Sequence, residues 1–182
     1  MRKIGIIVGS ESDFPQCYLG FQYLWENVLD HNLVVPFVHV TSIHRNTDKQ
    51  LQDLEKFSKQ PAEEKVDALI IGAGWANHLT CTSDAFLRNI LHDDQIVVYG
   101  VAFMDPANQK HTQAAILSIT EVPGHQVVFR DYVGSDGFYR ACYDASNDEL
   151  PKIKLPLPKP PLEFTLREAY TRSIDLLAKK TK

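Results

Sequence analysis

The chain has 182 residues, 44% of them hydrophobic and 23% charged, with a net charge of −4. This is ordinary globular composition, enough for one well-cored domain and short for two, and too acidic overall for nucleic-acid binding driven by electrostatics. No apolar run approaches the roughly 20 residues that span a bilayer. Met1-Arg2-Lys3 runs straight into a strand pattern without a secretory apolar segment, so a cytoplasmic protein with no membrane partner is expected.

Ile4-Gly5-Ile6-Ile7-Val8 is a short continuous apolar run closed by Gly9, the pattern of a strand buried on both faces. After Ser10-Glu11-Ser12-Asp13, where Ser12 or Asp13 can cap, Pro15 suits the first turn of a helix carrying Phe14, Tyr18, Phe21 and Trp25 at helical spacing. A second strand is expected over 33–40, ending in Thr41-Ser42-Ile43-His44-Arg45, and a helix from Thr47 or Asp48 to about Gln60. A third strand, 66–71, is closed by Gly72-Ala73-Gly74 and followed by a helix near 78–91. Then come a fourth strand over 96–102, a helix over 113–119, a short fifth strand over 127–129 and a helix over 137–144. Residues 150–161 carry prolines at 151, 156, 158, 160 and 161 with lysines between, and should run extended without a core of their own. Residues 162–179 are amphipathic, with Leu166, Tyr170, Ile174 and Leu177 in register.

Strands alternating with helices imply a three-layer α/β/α domain of the flavodoxin or Rossmann type, built on a parallel sheet with right-handed crossovers. It is expected over 1–147, with 148–182 as an extended arm and helix rather than a second domain. The arm region from Pro151 holds eight basic and three acidic residues, against eleven basic and twenty acidic in the rest. A basic tail on an acidic body can lie on its own body or on a neighbouring subunit, or be solvated.

Parallel sheets bind ligands outside the carboxyl ends of their strands. Three polar or glycine-rich clusters fall at those ends. Gly9 to Asp13 offers close backbone approach, hydroxyl donors, a helix N-terminus for an anion and, in Asp13, an acceptor for ribose hydroxyls. The same stretch also reads as a cap and a turn. Ser42-Ile43-His44-Arg45 couples a guanidinium fork suited to phosphate with a proton carrier, though a surface ion pair and a capping Ser would look alike. Gly72-Ala73-Gly74-Trp75-Ala76-Asn77-His78 resembles a dinucleotide fingerprint, but it lacks the last glycine and sits on the wrong strand. It implies either a backbone packed on a ligand or a tight turn. Cys17, Cys81 and Cys142 are far apart and odd in number, which suggests reduced thiols. His31, His39, His92, His111 and His125 show no paired metal spacing. Neither a Gly-x-Ser-x-Gly elbow nor an ATP P-loop is present.

In this order the clusters resemble the 5-(carboxyamino)imidazole ribonucleotide mutase and aminoimidazole ribonucleotide carboxylase family of purine biosynthesis. That family carries Gly-Ser-x-Ser-Asp, Ser-Ala-His-Arg and Gly-Ala-Gly-Gly-Ala-Ala-His-Leu after its first three strands. Leu117-Ser118-Ile119-Thr120-Glu121-Val122-Pro123 is a looser fourth match, and the resemblance covers roughly residues 3 to 143. It implies that Ser10, Asp13 and Arg45 hold the ribose phosphate end of a ribonucleotide, that Ser12, Ser42, Gly72, Gly74 and Leu79 line the pocket, and that His44 is the general acid/base. His78 is implied in pocket architecture or substrate contact. The family needs neither metal nor ATP and no other cofactor, and forms homo-octamers whose sites draw on more than one subunit.

The chain departs from the family where Trp75 replaces a glycine, Asn77 an alanine, Thr80-Cys81 a Pro-Gly and Glu121 a glutamine. The indole is expected to fill part of the pocket or to change its ligand. The helix after the fifth strand is expected to break at Asp144 to Asn147 and give way to the arm. The mutase is the leading expectation. The alternatives are the carbon-dioxide-dependent carboxylase, an enzyme acting on another ribonucleotide or sugar phosphate, and a binding paralogue without turnover.

Overall fold

A computed structural model describes residues 1–180. Strand β1 (Arg2–Val8) is central, with β4 (Ala68–Ala73) and β5 (Val97–Ala102) added on one side and the short β2 (Leu33–Val34) and β3 (Val38–Val40) on the other. Every pairing is parallel; Ile4 lies opposite Ala68, and Ala68 opposite Val97. The side-chain period of two divides these apolar strands between two cores. Ile4, Ile6, Val8, Ile70 and Val101 face α1 (Phe14–Leu29) and α5 (Gly134–Asn147), meeting Cys17, Leu24, Phe138 and Ala141. Ile7, Leu69, Ile71 and Val98 face α2 (Thr47–Ser58), α3 (His78–Asn89) and α4 (Gln109–Thr120), meeting Leu54, Phe57, Leu87, Ala115 and Ile119. Helices cover both faces, as the alternating pattern implied, in a flavodoxin-like three-layer arrangement.

Three elements differ from the sequence expectation. The second strand is split, because Pro36 has no N–H for a ladder and only the Phe37 carbonyl reaches β1, accepting from the Ile6 N–H at 3.2 Å. The fifth strand is reduced to isolated bridges, Tyr99 to Val128 and Ala102 to Val133. Between them Asp131 adopts φ +52, which turns the chain out of strand geometry. Helix α5 does not break at Asp144 but continues through Asn147. The polar side chains there have partners compatible with helix: Asp144 accepts from the Tyr132 hydroxyl at 2.5 Å, and Ser146 and Asn147 donate to the carbonyls four residues back.

Residues 148–165 have no regular structure, and α6 (Leu166–Lys180) is exposed over its described side chains. The arm leaves the body through a clasp in which Gln126 donates to the Lys154 carbonyl while its Oε1 accepts the Lys154 N–H at 2.6 Å. Helix α6 does not lie on its own acidic body. Leu166, Tyr170 and Ile174 are 88%, 66% and 47% exposed, so the apolar face that the sequence pattern marked is uncovered in the single chain.

Candidate active site

The three clusters meet at the carboxyl edge of β1, β3 and β4, around an open cleft of about 510 Å³. Its lining includes Ser10, Ser12 and Asp13 from the first loop, Ser42, His44 and Arg45 from the second, and Gly74, Trp75 and Leu79 from the third. Gly9, Ile43, Ala73 and Ala76 complete it; of these four the sequence had marked only Gly9, for close backbone approach.

Backbone geometry presents each group. After Gly9, whose N–H is bonded to the Gly72 carbonyl at 2.8 Å, a single 3-10 turn spans Glu11–Asp13. The Ser10 and Ser12 hydroxyls lie 2.8 Å apart, and Ser10 Oγ accepts the Ser12 N–H. A Cβ on Gly9 would meet Ala73 at 2.7 Å, so the close approach of the two loops requires glycine there. Half-buried Asp13 reaches across to the Gly74 N–H. Its carboxyl is pushed above the usual range by burial, a shift opposed by that backbone donor.

In the second loop the Arg45 N–H is bonded to the Ser42 carbonyl at 3.1 Å, and the Arg45 side chain is exposed. No hydrogen bond or ion pair engages its guanidinium among the described residues. His44 Nε2 lies 2.9 Å from His78 Nδ1, so one imidazole donates to the other across 34 positions of sequence. His78 therefore enters the site through His44. Leu79 is buried against the cleft floor. Gly72 lies behind the lining rather than in it: a Cβ there would meet the Phe103 ring at 2.7 Å, and its role is sheet packing.

The departures from the family pattern fall into two groups. Asn77 is fully buried and faces the strands. Its Oδ1 caps the Thr80 N–H at 3.1 Å and accepts the Thr80 hydroxyl at 2.9 Å, while its Nδ2 donates to the Val101 carbonyl at 2.9 Å. The Thr80 hydroxyl is also 3.0 Å from the Ile71 carbonyl, and Cys81 is buried under the Ile119 carbonyl, with its thiol pushed up to about 11 by burial and by Asp84. These residues tie the start of α3 to the ends of β4 and β5 and do not line the cleft. Asn77→Ala removes a cap and strands a buried carbonyl, an expected cost of about 2–4 kcal/mol by urea denaturation. Ligand affinity of the folded variant should be unchanged.

Trp75 belongs to the other group. It has φ +56, a conformation that costs a non-glycine residue about 1–2 kcal/mol and that explains the glycine of the family pattern. The indole does not fill the cleft. It stands at the rim, 65% exposed, stacked on His111 at 4.1 Å with the rings 22° apart. His111 is itself fixed, with Nδ1 2.7 Å from Asp105 Oδ2 and Nε2 3.1 Å from Asn108 Nδ2. Neither His111 nor Asp105 was marked by spacing, since they become neighbours only through the turn into α4.

Comparison with known proteins agrees with this geometry. Residues 3–130 match the family model described as AIR carboxylase. Two curated relatives, both named N5-carboxyaminoimidazole ribonucleotide mutase, from Thermotoga maritima and Pyrococcus abyssi, are each 32% identical over 79 residues, 43% of this chain. The matched stretch spans 41% and 40% of those relatives' lengths. The crystal structure of PurE from Treponema denticola superposes with a TM-score of 0.52 at 13% identity, over 100% of this chain and 99% of that one, a likeness of fold. With the family model covering most of the chain and the cleft assembled from the three motif loops, the protein belongs to the AIR carboxylase family.

Proposed function

We propose that the protein is a 5-(carboxyamino)imidazole ribonucleotide mutase of purine biosynthesis. Its substrate carries a carboxylate on the exocyclic nitrogen, and its product carries that carboxylate on C4 of the imidazole. The observation that carries this reading is the placement of His44 on the wall of the cleft beside an uncommitted Arg45. Arg45 and the Ser10 hydroxyl supply donors for the phosphate, Asp13 accepts from the ribose hydroxyls, and Ser12, Ser42, Gly74 and Leu79 shape the remainder. In the reaction the exocyclic N–C bond breaks, releasing carbon dioxide, and the nitrogen takes a proton. C4 attacks the retained carbon dioxide, a C–C bond forms, and C4 loses its proton. His44 carries the proton between C4 and nitrogen, with His78 orienting its ring. The net change is an isomerisation, so atoms balance without an external reagent.

A cytoplasmic homo-oligomer, an octamer by family likeness, forms part of the proposal. The exposed apolar face of α6 and the basic arm on an acidic body support a role for the arm in wrapping a neighbouring subunit. Truncation after Asn147 should then lower the oligomeric state, the number of chains per particle, seen by light scattering. An unchanged number of chains per particle would remove the arm from assembly.

The catalytic reading is tested by mixing the protein with 5-(carboxyamino)imidazole ribonucleotide and following the ultraviolet change as the carbon-carboxylated isomer forms. Turnover without bicarbonate supports the mutase. Turnover of aminoimidazole ribonucleotide only with added bicarbonate assigns the carboxylase instead, and ribonucleotide binding without any turnover would sink both.

A further inference from the structure

Trp75 has more structure around it than an incidental surface indole needs. Its backbone is held in the left-handed region, which a bulky side chain rarely adopts. One face of its ring is covered by His111, which is anchored at both nitrogens by Asp105 and Asn108. The opposite face is bare, and the residue lines the cleft. An exposed indole free to rotate loses conformational freedom on binding a partner; one already stacked has little left to lose.

The position of this rim adds to the case. In the sheet order, β3 and its Arg45 loop lie to one side of β1, whereas β4, β5 and the start of α4 lie to the other. The anion-binding guanidinium and the indole therefore stand on opposite flanks of one cleft, with the Ser10–Asp13 turn between them. A molecule with an anion at one end and a flat aromatic ring at the other spans that arrangement. Phosphate alone, or a sugar phosphate, reaches only one flank.

We propose that the bare face of Trp75, held by the stacked His111, is a platform on which the aromatic base of the bound ribonucleotide stacks, making Trp75 a specificity determinant for base-bearing over base-free sugar phosphates. This rests on the ribonucleotide reading of the cleft but not on turnover. The family's glycine position offers no such platform, so the selectivity belongs to this chain's own residues.

The test uses Trp25→Phe protein, which leaves Trp75 as the one tryptophan, since the chain has two. Aminoimidazole ribonucleotide should quench its emission, and ribose 5-phosphate should bind calorimetrically without quenching. Trp75→Gly, comfortable at this φ and so free of a folding penalty, should weaken ribonucleotide binding by about five- to a hundredfold, the usual range for base–aromatic stacking, and leave ribose 5-phosphate binding unchanged. Trp75→Phe should restore most of the loss. His111→Ala should speed the anisotropy decay of the indole and weaken only the ribonucleotide. If Trp75→Gly weakens both ligands equally, or neither, the platform is overturned. If the wild type binds ribonucleotide with quenching but never isomerises it, the platform stands and the mutase reading falls. If the wild type binds neither ligand, both fall.

Discussion

His44→Asn is expected to lower mutase turnover by about two to four orders of magnitude while leaving ribonucleotide affinity within a fewfold of wild type. Asparagine matches the size and polarity of imidazole but cannot take up and return a proton at neutral pH. The anion-binding groups sit on other atoms, namely the exposed Arg45 guanidinium and the Ser10 hydroxyl, so ground-state binding should persist. His78→Asn should have a smaller effect on kcat. It keeps a polar partner near His44 Nε2 but loses the ring geometry seen at 2.9 Å, so His44 is oriented less firmly. Calorimetry for the dissociation constant and the ultraviolet assay for turnover separate the two quantities. Equal loss of affinity and rate in His44→Asn would mean that His44 binds the substrate rather than moving its proton.

The largest effect on stability is expected at Asp84, far from the chemistry. Asp84 and Arg88 are each 1% exposed and lie one turn apart on α3, with Nε to Oδ1 at 3.0 Å. The guanidinium spends its other donors on the Asp93 carbonyl at 2.7 Å and the Ile96 carbonyl at 2.6 Å, while Asp84 Oδ2 accepts the Gln126 N–H at 2.8 Å. Burial pulls the Arg88 pKa down, and Asp84 and Asp93 oppose that shift. Removing Asp84 leaves a buried cation without its hydrogen-bonded counter-charge, with Asp93 acting on it only at longer range. Asp84→Ala should therefore cost about 3–5 kcal/mol, against the roughly 5–15 kcal/mol that holds a domain folded. For a chain of this size that is a fall in Tm of about 6–20 °C. Replacing both partners, as Asp84→Leu with Arg88→Met, should recover most of the loss, because both desolvation costs vanish together. A double variant no better than the single one would show that the carbonyl contacts of Arg88, and not its charge pairing, hold this corner. The Gln126 N–H lost in Asp84→Ala belongs to the same residue that clasps Lys154, so the arm should become more susceptible to proteolysis in that variant.

Much of the site could be read from the sequence because its chemistry sits where strands stop. Gly9, Thr41 and Gly72 close or directly follow strand-like, mostly apolar stretches, and Asp13, His44 and Arg45 follow within a few positions, so the sheet rule alone brings these loops together. Contacts across the cleft left no such mark. The pairing of His44 with His78 depends on the position of α3 relative to the second loop. The stacking of Trp75 on His111 depends on a left-handed backbone that no residue type at that position advertises. Asn77 looked like a change in the pocket because it adjoins the glycines, yet its amide turns inward to cap α3. The split second strand was signalled by Pro36. The continuity of α5 past Asp144 was hidden because an Asp-x-x-Asn stretch reads as a helix end until Tyr132 and Arg130 are seen to engage Asp144.

The Gln126 clasp fixes the point from which the arm departs. Between Lys154 and Thr165 lie ten residues rich in proline, and extended chain of this kind advances about 3.1 Å per residue, so it spans about 30 Å. A domain of some 150 residues has a radius of gyration near 15 Å. The clasp and the proline run thus form a tether whose reach is about twice the radius of gyration of the body that carries it. Its length, more than its sequence, sets how far from the cleft α6 can make contact, and removing two or three of its residues would shift that distance by about 6–9 Å without touching a single residue of the site.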